Sequence, residues 1–123
     1  MKGLSPTQRT LRELRQRGVI AGIVEKWNQF AGPAGIRQDL WGFLDVLCLY
    51  PDRTGVTGVQ CCARSGHAEH RKKILENDIA PEFLRVGNVI EIWSWGKQKL
   101  RRGGKAERWM PKIEILVLKD FEK

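Results

Sequence analysis

Two apolar runs separated by a short turn constrain the fold of this 123-residue chain more than any other feature. The first run covers residues 44–50, the second covers residues 56–63, and the sequence Pro-Asp-Arg-Thr-Gly occupies residues 51–55 between them. Both runs are rich in valine, leucine or cysteine, which suits strands that are buried within a sheet. The pattern therefore predicts a β-hairpin in the interior of a sheet.

Helix signals are found on both sides of this hairpin. Ser5, Pro6 and Gly18 are typical of the N-cap, the first turn and the end of a helix. Ser65 is the predicted N-cap of a second helix, which is followed by a further helical piece that ends at Gly87. One helix is thus predicted before the hairpin and a helical region after it.

Further strands complete the predicted architecture. They are expected at residues 19–27, 88–95 and 109–118, and the glycine and proline content of residues 30–35 predicts a loop. The resulting order, α-β-β-β-α-β-β, predicts an α/β fold with a central mixed sheet. A chain that is 41% hydrophobic and 29% charged fits one domain over residues 1–123.

Positive charge is concentrated in two segments of the chain. There are 22 Lys+Arg and 14 Asp+Glu, which give a formal net charge of +8. Residues 1–18 carry +4 and residues 97–112 carry +6, whereas residues 19–96 and 113–123 each carry −1. Localised positive charge favours a polyanion as partner, with nucleic acid first among the polyanions.

Tryptophans flank the more basic of these segments. Trp93, Trp95 and Trp109 bracket residues 96–108, which predict two strands joined by a basic loop. Cations on such a ribbon neutralise phosphates, and indole rings stack on bases or on arginine. The alternative is that the tryptophans pack in the core and the loop is a solvated tip. The candidate nucleic-acid-binding residues are Lys97, Lys99, Arg101, Arg102, Lys105, Arg108, Arg9 and Arg12.

The cysteine content and the absence of a long apolar stretch bear on location. Three cysteines are an odd number, and two of them are adjacent at Cys61 and Cys62, which argues against a disulfide framework. The N-terminus shows no signal segment, and no uncharged stretch approaches the roughly 20 apolar residues that span a bilayer. We therefore expect a cytoplasmic protein with reduced thiols and no membrane partner.

One carboxyl group interrupts the first apolar run. Asp45 lies between a leucine and a valine, and an unpaired buried carboxylate is costly. In the second run, the two-residue period of a strand puts Gln60, Cys62 and Arg64 on one face. If the two runs pair through the turn, Asp45 and Gln60 lie near each other on neighbouring strands.

This arrangement resembles the PD-(D/E)xK nuclease superfamily, whose core has the order α-β-β-β-α-β, an aspartate on the second strand and an acid-x-Lys motif on the third. The matching stretches are residues 43–46 and 59–62, and the resemblance covers roughly residues 1–95. In particular, the chain looks like the small phage and prophage members, in which glutamine can replace the second acid. The resemblance implies a restriction-endonuclease-like fold and metal-dependent cleavage of DNA, with branched or replicative DNA as a candidate substrate.

The resemblance also implies a metal site. Hydrolysis of a phosphodiester needs a divalent cation, Mg²⁺ or Mn²⁺, held by oxygen ligands. Asp45 would supply an anionic oxygen and Gln60 an uncharged amide oxygen. Glu25, at the end of a predicted strand, is the first candidate for a further carboxylate, and Asp39 is the next.

The superfamily's lysine has no counterpart at the matching position, because Cys62 stands there. A cation could come instead from Arg64 on the same strand face, or from Lys72 or Lys73 on the following helix. Such a cation would stabilise the charge that develops on the phosphate or orient the attacking water. The alternative is that the two lysines belong to a solvated helix face.

Three other interpretations stay open. A zinc cluster is disfavoured, because adjacent cysteines on a strand point to opposite faces and no second cysteine pair follows. Its candidate ligands are Cys61, Cys62, His67 and His70. A catalytically silent DNA-binding module of the same fold would also explain the charge, as would an accessory or inhibitor protein whose basic ribbon binds an acidic protein partner. The sequence also leaves a homodimer open.

Overall fold

In the computed structural model, which describes residues 3–122, a five-stranded mixed sheet lies beside a separate two-stranded sheet. The α-helices are α1 (Pro6–Gln16), α2 (His67–Leu75) and α3 (Ala80–Arg85). The strands are β1 (Ile20–Ile23), β2 (Lys26–Asn28), β3 (Ile36–Gln38), β4 (Val46–Leu49), β5 (Thr57–Ala63), β6 (Val89–Lys99) and β7 (Glu107–Leu116). None of the helices in this part of the chain has the length and apolar character that crossing a membrane requires.

The large sheet has the strand order β1-β4-β5-β6-β7. β4 and β5 pair in antiparallel orientation, so the predicted hairpin is present. β5 and β6 are parallel, and α2 and α3 connect them. β1 pairs with the other edge of β4, and β6 and β7 form a long antiparallel ribbon. The predicted α/β class with a mixed central sheet is therefore confirmed.

Helix α1 begins and ends as the sequence predicts. The Ser5 side chain accepts a hydrogen bond from the Gln8 backbone N–H, and the Gln8 side chain accepts one from the Ser5 backbone N–H. This reciprocal capping box satisfies two N–H groups at the start of the helix. Gly18 follows the helix with a φ of +79°, a conformation that glycine adopts without steric cost.

The segment between β1 and β4 differs from the prediction. The single strand expected at residues 19–27 is divided, because β1 belongs to the large sheet and β2 pairs with β3. The loop expected at residues 30–35 connects β2 and β3. The backbone N–H groups of Val24 and Glu25 both donate to the Asp45 carbonyl, and this pairing ends β1.

Two later predictions of element bounds are corrected by the structure. Ser65 lies within a 3-10 turn, Arg64–Gly66, and is not the N-cap of α2. That cap is Gly66, which has no side chain to donate or accept a hydrogen bond. The ribbon at the C-terminal side is present as β6 and β7, and its strands extend far enough to leave residues 100–106 as the basic loop.

The two faces of the large sheet are covered by different helices. Val59 and Cys61 of β5 belong to the apolar cluster that packs under α1. Cys62 belongs to the cluster on the opposite face, together with side chains of α2 and α3. Because side chains alternate along a strand, Gln60 lies on the α2–α3 face. The polar site therefore forms on that face.

Candidate metal centre and nucleic-acid interface

Asp45 and Gln60 are in direct contact at the start of the hairpin. The Asp45 backbone N–H donates to the Val59 carbonyl at 2.9 Å, which continues the pairing of β4 with β5 by one residue. Gln60 Nε2 lies 2.6 Å from Asp45 Oδ2, and the Cys61 backbone N–H donates to the same oxygen at 2.8 Å. The Asp45 residue is 3% exposed and Gln60 is 1% exposed. The two residues that define the sequence motif are thus brought together.

Two further carboxyl groups lie at the same point. Carboxylate oxygens of Glu25, Asp39 and Asp45 all lie within 4.8 Å of one another, and we call these three residues the acidic cluster. Within residues 3–122, it is the one set of three or more His, Cys, Asp or Glu side chains close enough to share a metal ion. Asp39 Oδ2 also lies 3.3 Å from Gln60 Nε2.

The β2–β3 ribbon brings the outer two members of the acidic cluster together. Lys26 of β2 is paired with Gln38 of β3. Glu25 and Asp39 are the next residues outward from this pair, so they lie opposite each other where the ribbon joins the large sheet. The Glu25 backbone N–H donates to the Asp45 carbonyl at 3.3 Å, which ties the ribbon to the start of β4.

The pKa values of Asp45 and Asp39 are shifted in opposite directions. Burial raises the pKa of Asp45 to about 8, and the hydrogen bond with Asp39 acts in the same direction. Burial also acts to raise the pKa of Asp39, but its hydrogen bonds and the charge of Lys73 outweigh burial, so this pKa is lowered. The Asp39–Asp45 pair therefore tends to hold one proton near pH 7, and burial favours Asp45 as its holder.

Of the cations considered from the sequence, Lys73 is the one that reaches the acidic cluster in the described structure. Its Nζ lies 3.4 Å from Asp39 Oδ2. The neighbouring Lys72 is exposed on α2 and pairs only loosely within its own helix. Arg64 donates to backbone carbonyls of β6 and β7, so its guanidinium faces the ribbon and not the cluster.

The donor set fits a hard divalent cation. Mg²⁺ and Mn²⁺ prefer carboxylate and amide oxygens, which are the groups that the acidic cluster and Gln60 offer. Gln60 Oε1 is buried and has no hydrogen-bond partner, which is rare for a buried amide oxygen. Rotation of the amide about its last torsion exchanges its oxygen and nitrogen. The oxygen then faces the carboxylates, where a cation between them would become its partner.

Within residues 3–122, the cysteine and histidine side chains do not gather into a metal site. All three cysteines are free and buried. Burial, aided by the charge of Asp45, raises the pKa of Cys62 to about 11, so this thiol is neutral at physiological pH. The two ring nitrogens of His67 lie 2.7 Å from Ser94 Oγ and 2.8 Å from Glu114 Oε1. These contacts do not assemble the zinc site considered from the sequence.

The two basic segments meet on the α1 face of the sheet. The guanidinium carbon of Arg9 lies 3.9 Å from the centroid of the Trp109 ring, and Lys97 Nζ lies 5.6 Å from it. Arg12 lines the groove between α1 and the ribbon beside this ring. Trp109 is 40% exposed, whereas the two tryptophans of β6 are buried. Segments far apart in the sequence therefore form one surface.

The candidate cations of the ribbon are all exposed. Together with two arginines of α1 and one tryptophan, these cations form what we call the basic surface. Its residues are Arg9, Arg12, Lys97, Lys99, Arg101, Arg102, Lys105, Arg108 and Trp109. Its junction with α1 lies on the sheet face opposite to the acidic cluster. β6 pairs with β5 only up to Trp95, so the ribbon projects beyond the end of β5.

A cleft of about 490 Å³ opens beside the acidic cluster. It is lined by Arg37, Gln38, Asp39, Trp41, Gly42 and Lys73. Arg37 and Trp41 are not among the site residues predicted from the sequence. Arg37 forms an ion pair with Glu25 at 2.7 Å. Only their nearness to Asp39 in the sequence could have marked them as site residues. That nearness has a meaning only because the fold places Asp39 in the acidic cluster.

Comparisons of the chain with protein-family models, with curated proteins and with solved structures found no match. The resemblance to PD-(D/E)xK nucleases therefore stays a prediction from the sequence.

Proposed function

We propose that this protein is a metal-dependent DNA nuclease with a restriction-endonuclease-like core. The observation that carries the proposal is the convergence of Glu25, Asp39 and Asp45 within 4.8 Å, around the buried amide of Gln60. Carboxylates gathered in a partly desolvated site repel one another unless protons or a cation neutralise them. A divalent cation is the partner that would stabilise all three in their ionised form.

The order of the core elements supports the fold part of this proposal. A helix is followed by the antiparallel strands β1, β4 and β5, and the α2–α3 region then leads to the parallel strand β6. Asp45 directly precedes β4, the second core strand, and Gln60 lies in β5, the third. The β2–β3 ribbon is an addition between the first two core strands, and it supplies the flanking carboxyl groups.

The residues of the cluster have distinct roles in binding a cation. Glu25, Asp39 and Asp45 would hold it through carboxylate oxygens. The Gln60 amide oxygen would add a fourth, uncharged ligand. A bound Mg²⁺ or Mn²⁺ supplies charge that polarises the phosphate and favours ionisation of water near neutral pH. Asp45 must give up its proton to bind, so metal affinity rises with pH up to about 8.

Lys73 replaces the lysine that the superfamily carries on its third core strand. Cys62 occupies that position, and a thiol carries no positive charge at any pH, so it cannot neutralise charge on the phosphate as a lysine does. The Lys73 ammonium approaches the cluster from α2 and lies 3.4 Å from Asp39. From there it can neutralise charge that develops on the phosphate oxygens.

A catalytically silent DNA-binding module is the second candidate function. Two residues of β5 favour it. Cys62 carries no charge where the superfamily has a lysine, and Gln60 is an amide where the superfamily has an acid. The site therefore has fewer charged groups than the superfamily pattern. The basic surface would be retained in such a protein, because phosphate contacts alone provide affinity for DNA.

Cleavage assays separate the two functions. Purified protein would be incubated with supercoiled, linear, single-stranded and branched DNA in Mg²⁺, in Mn²⁺ and in EDTA. A nuclease cleaves in either metal and not in EDTA, and Asp45→Asn lowers the rate by about 100-fold or more. The control Asp78→Asn, an exposed carboxyl outside the cluster, keeps the wild-type rate. Cleavage in EDTA would contradict the metal site, and DNA binding without any cleavage would support the silent module.

A further inference from the structure

Trp41 has an unusual backbone conformation at the wall of the cleft. Its φ is +55°, and it is the one non-glycine residue with a positive φ among residues 3–122. Bulky side chains rarely adopt this left-handed region, which glycine or asparagine would occupy more readily. The turn is fixed by the Leu40–Leu44 bridge and by Asn77, whose side chain donates to the Trp41 carbonyl at 2.9 Å. The turn itself gives no reason for a tryptophan.

Packing does not account for the indole either. Trp41 remains 49% exposed. Its ring packs edge to face with Phe83 at a centroid distance of 6.3 Å, and Phe83 has a second, buried aromatic neighbour in Phe43 at 6.1 Å. One side of the indole is therefore anchored on the core, and the remainder is open to the cleft that Trp41 lines.

The walls of this cleft combine three kinds of side chain. Asp39 belongs to the acidic cluster, Arg37 and Lys73 are cations, and Trp41 is aromatic. The volume of about 490 Å³ lies within the usual range of small-ligand sites, about 300–1,000 Å³. A nucleotide has the complementary parts, because its phosphate pairs with cations and its base stacks on an indole.

We infer that the cleft binds an unpaired nucleotide next to the phosphate at the acidic cluster, with its base stacked on Trp41. In a perfect duplex, neighbouring bases cover both faces of each base, so an indole reaches one only where it is unpaired or turned out of the helix. The preferred substrate is therefore single-stranded DNA, including single-stranded parts of branched DNA. Cleavage at this position rests on the proposed function, whereas stacking can be measured without cleavage.

Binding is measured with the Asp45→Asn protein in EDTA, so that cleavage cannot interfere. The probes are a fluorescein-labelled oligothymidylate and a duplex of the same length. Adding Trp41→Leu is expected to weaken single-strand binding about 5- to 10-fold and duplex binding by less than about twofold. Trp41→Phe, which keeps an aromatic ring, restores most of the single-strand affinity. The control Phe30→Leu changes an aromatic residue that is 89% exposed on the β2–β3 loop and does not line the cleft, and it leaves both affinities unchanged.

A covalent readout locates the base directly. A single-stranded probe with 5-iodouracil is irradiated on the protein, and mass spectrometry is expected to find the crosslink on Trp41. If Trp41→Leu does not fold, Trp41→Gly removes the indole with a residue that suits the positive φ. Unchanged single-strand affinity in the folded variant, or crosslinks only elsewhere, would overturn the inference.

The two proposals fail in different ways. Crosslinking to Trp41 without any metal-dependent cleavage by the wild type would support the stacking site and overturn the nuclease. Metal-dependent cleavage at equal rates on single strands and duplexes, with no crosslink at Trp41, would support the nuclease and overturn the stacking site.

Discussion

Burial of the Asp45 side chain favours its protonated, neutral form. Its pKa of about 8 lies well above its ordinary value of 3.8, and the first cause is burial. Between these two values, the folded state binds more protons than the unfolded state. The stability associated with Asp45 is therefore fully present below about pH 4, declines as the pH rises and is lost above about pH 8.

Replacement of Asp45 by asparagine removes this pH dependence. The two hydrogen bonds that the Asp45 side chain accepts end on the same oxygen, so the asparagine oxygen can accept them from Gln60 and Cys61. In EDTA at pH 8, we expect Asp45→Asn to raise the free energy of unfolding by about 1–3 kcal/mol, with a smaller gain at each lower pH. Urea denaturation at several pH values measures the free energy of unfolding. Asp78→Asn serves as the control, and parallel pH profiles for the wild type and Asp45→Asn would refute the assigned protonation.

Lys73 and Lys72 form a matched pair for testing the cation. They are adjacent on α2, but only Lys73 contacts the acidic cluster. We expect Lys73→Met to lower the cleavage rate about 100-fold, because charge on the phosphate loses its neutralising partner. Lys72→Met should keep the wild-type rate. Both variants should retain stabilisation by Mn²⁺ in thermal denaturation, and equal rates in the two variants would exclude the role given to Lys73.

At the scale of elements, the sequence predicted what local signals determine. The capping residues of α1 and the two apolar runs of the hairpin carry their own information, and both elements are present. The β2–β3 ribbon was missed because its strands have three residues each and are largely exposed, so no buried alternation marks them. Glu25 and Asp39 could be named as candidates, but their approach depends on the register of this ribbon.

A substitution at Gly35 would disturb the β2–β3 ribbon without changing a residue of the acidic cluster. It has a φ of +85°, and a Cβ at this position would lie 2.4 Å from the Trp27 ring. We expect Gly35→Ala to displace the ribbon and to lower Mn²⁺ affinity about tenfold, since residues that orient metal ligands have effects of this size. Isothermal titration calorimetry measures the affinity.

The control for Gly35 is Gly103→Ala in the basic loop. Gly103 also has a positive φ, of +77°, but no atom lies near its Cβ position. It therefore carries the same kind of backbone strain at a site remote from the acidic cluster, and Mn²⁺ affinity should not change. Equal losses of Mn²⁺ affinity in Gly35→Ala and Gly103→Ala would mean that the β2–β3 ribbon does not position the metal ligands.

At the scale of the whole molecule, the two charged sites lie on different parts of the sheet. The acidic cluster is on the α2–α3 face, whereas Arg9 of α1 contacts Trp109 of the ribbon on the opposite face. The sequence predicted both basic segments but not their contact, because nothing local links residues so far apart. In the proposed nuclease, the β6–β7 ribbon, which projects beyond β5, would contact DNA at a distance from the cleavage point. We therefore expect DNA affinity and cleavage to be separable by mutation.

The ribbon cations are expected to determine DNA affinity. Changing Lys99, Arg101, Arg102 and Lys105 together to Ala should weaken binding without unfolding the protein, because these side chains are exposed. Each phosphate contact that is lost should reduce the log-log salt slope by about 0.9 on duplex DNA, or about 0.7 on single strands. Fluorescence anisotropy over a range of salt concentrations measures both quantities.

A charge-matched variant tests whether position or net charge matters. Four other exposed cations lie outside the basic surface, and changing them to Ala removes the same charge: Lys26, Lys72, Arg85 and Lys119. If affinity depends on direct phosphate contacts, this variant keeps most of the wild-type salt slope, because released counterions come from contacted phosphates. If both quadruple variants lose affinity equally, attraction by net charge explains the binding. The ribbon would then have no specific role.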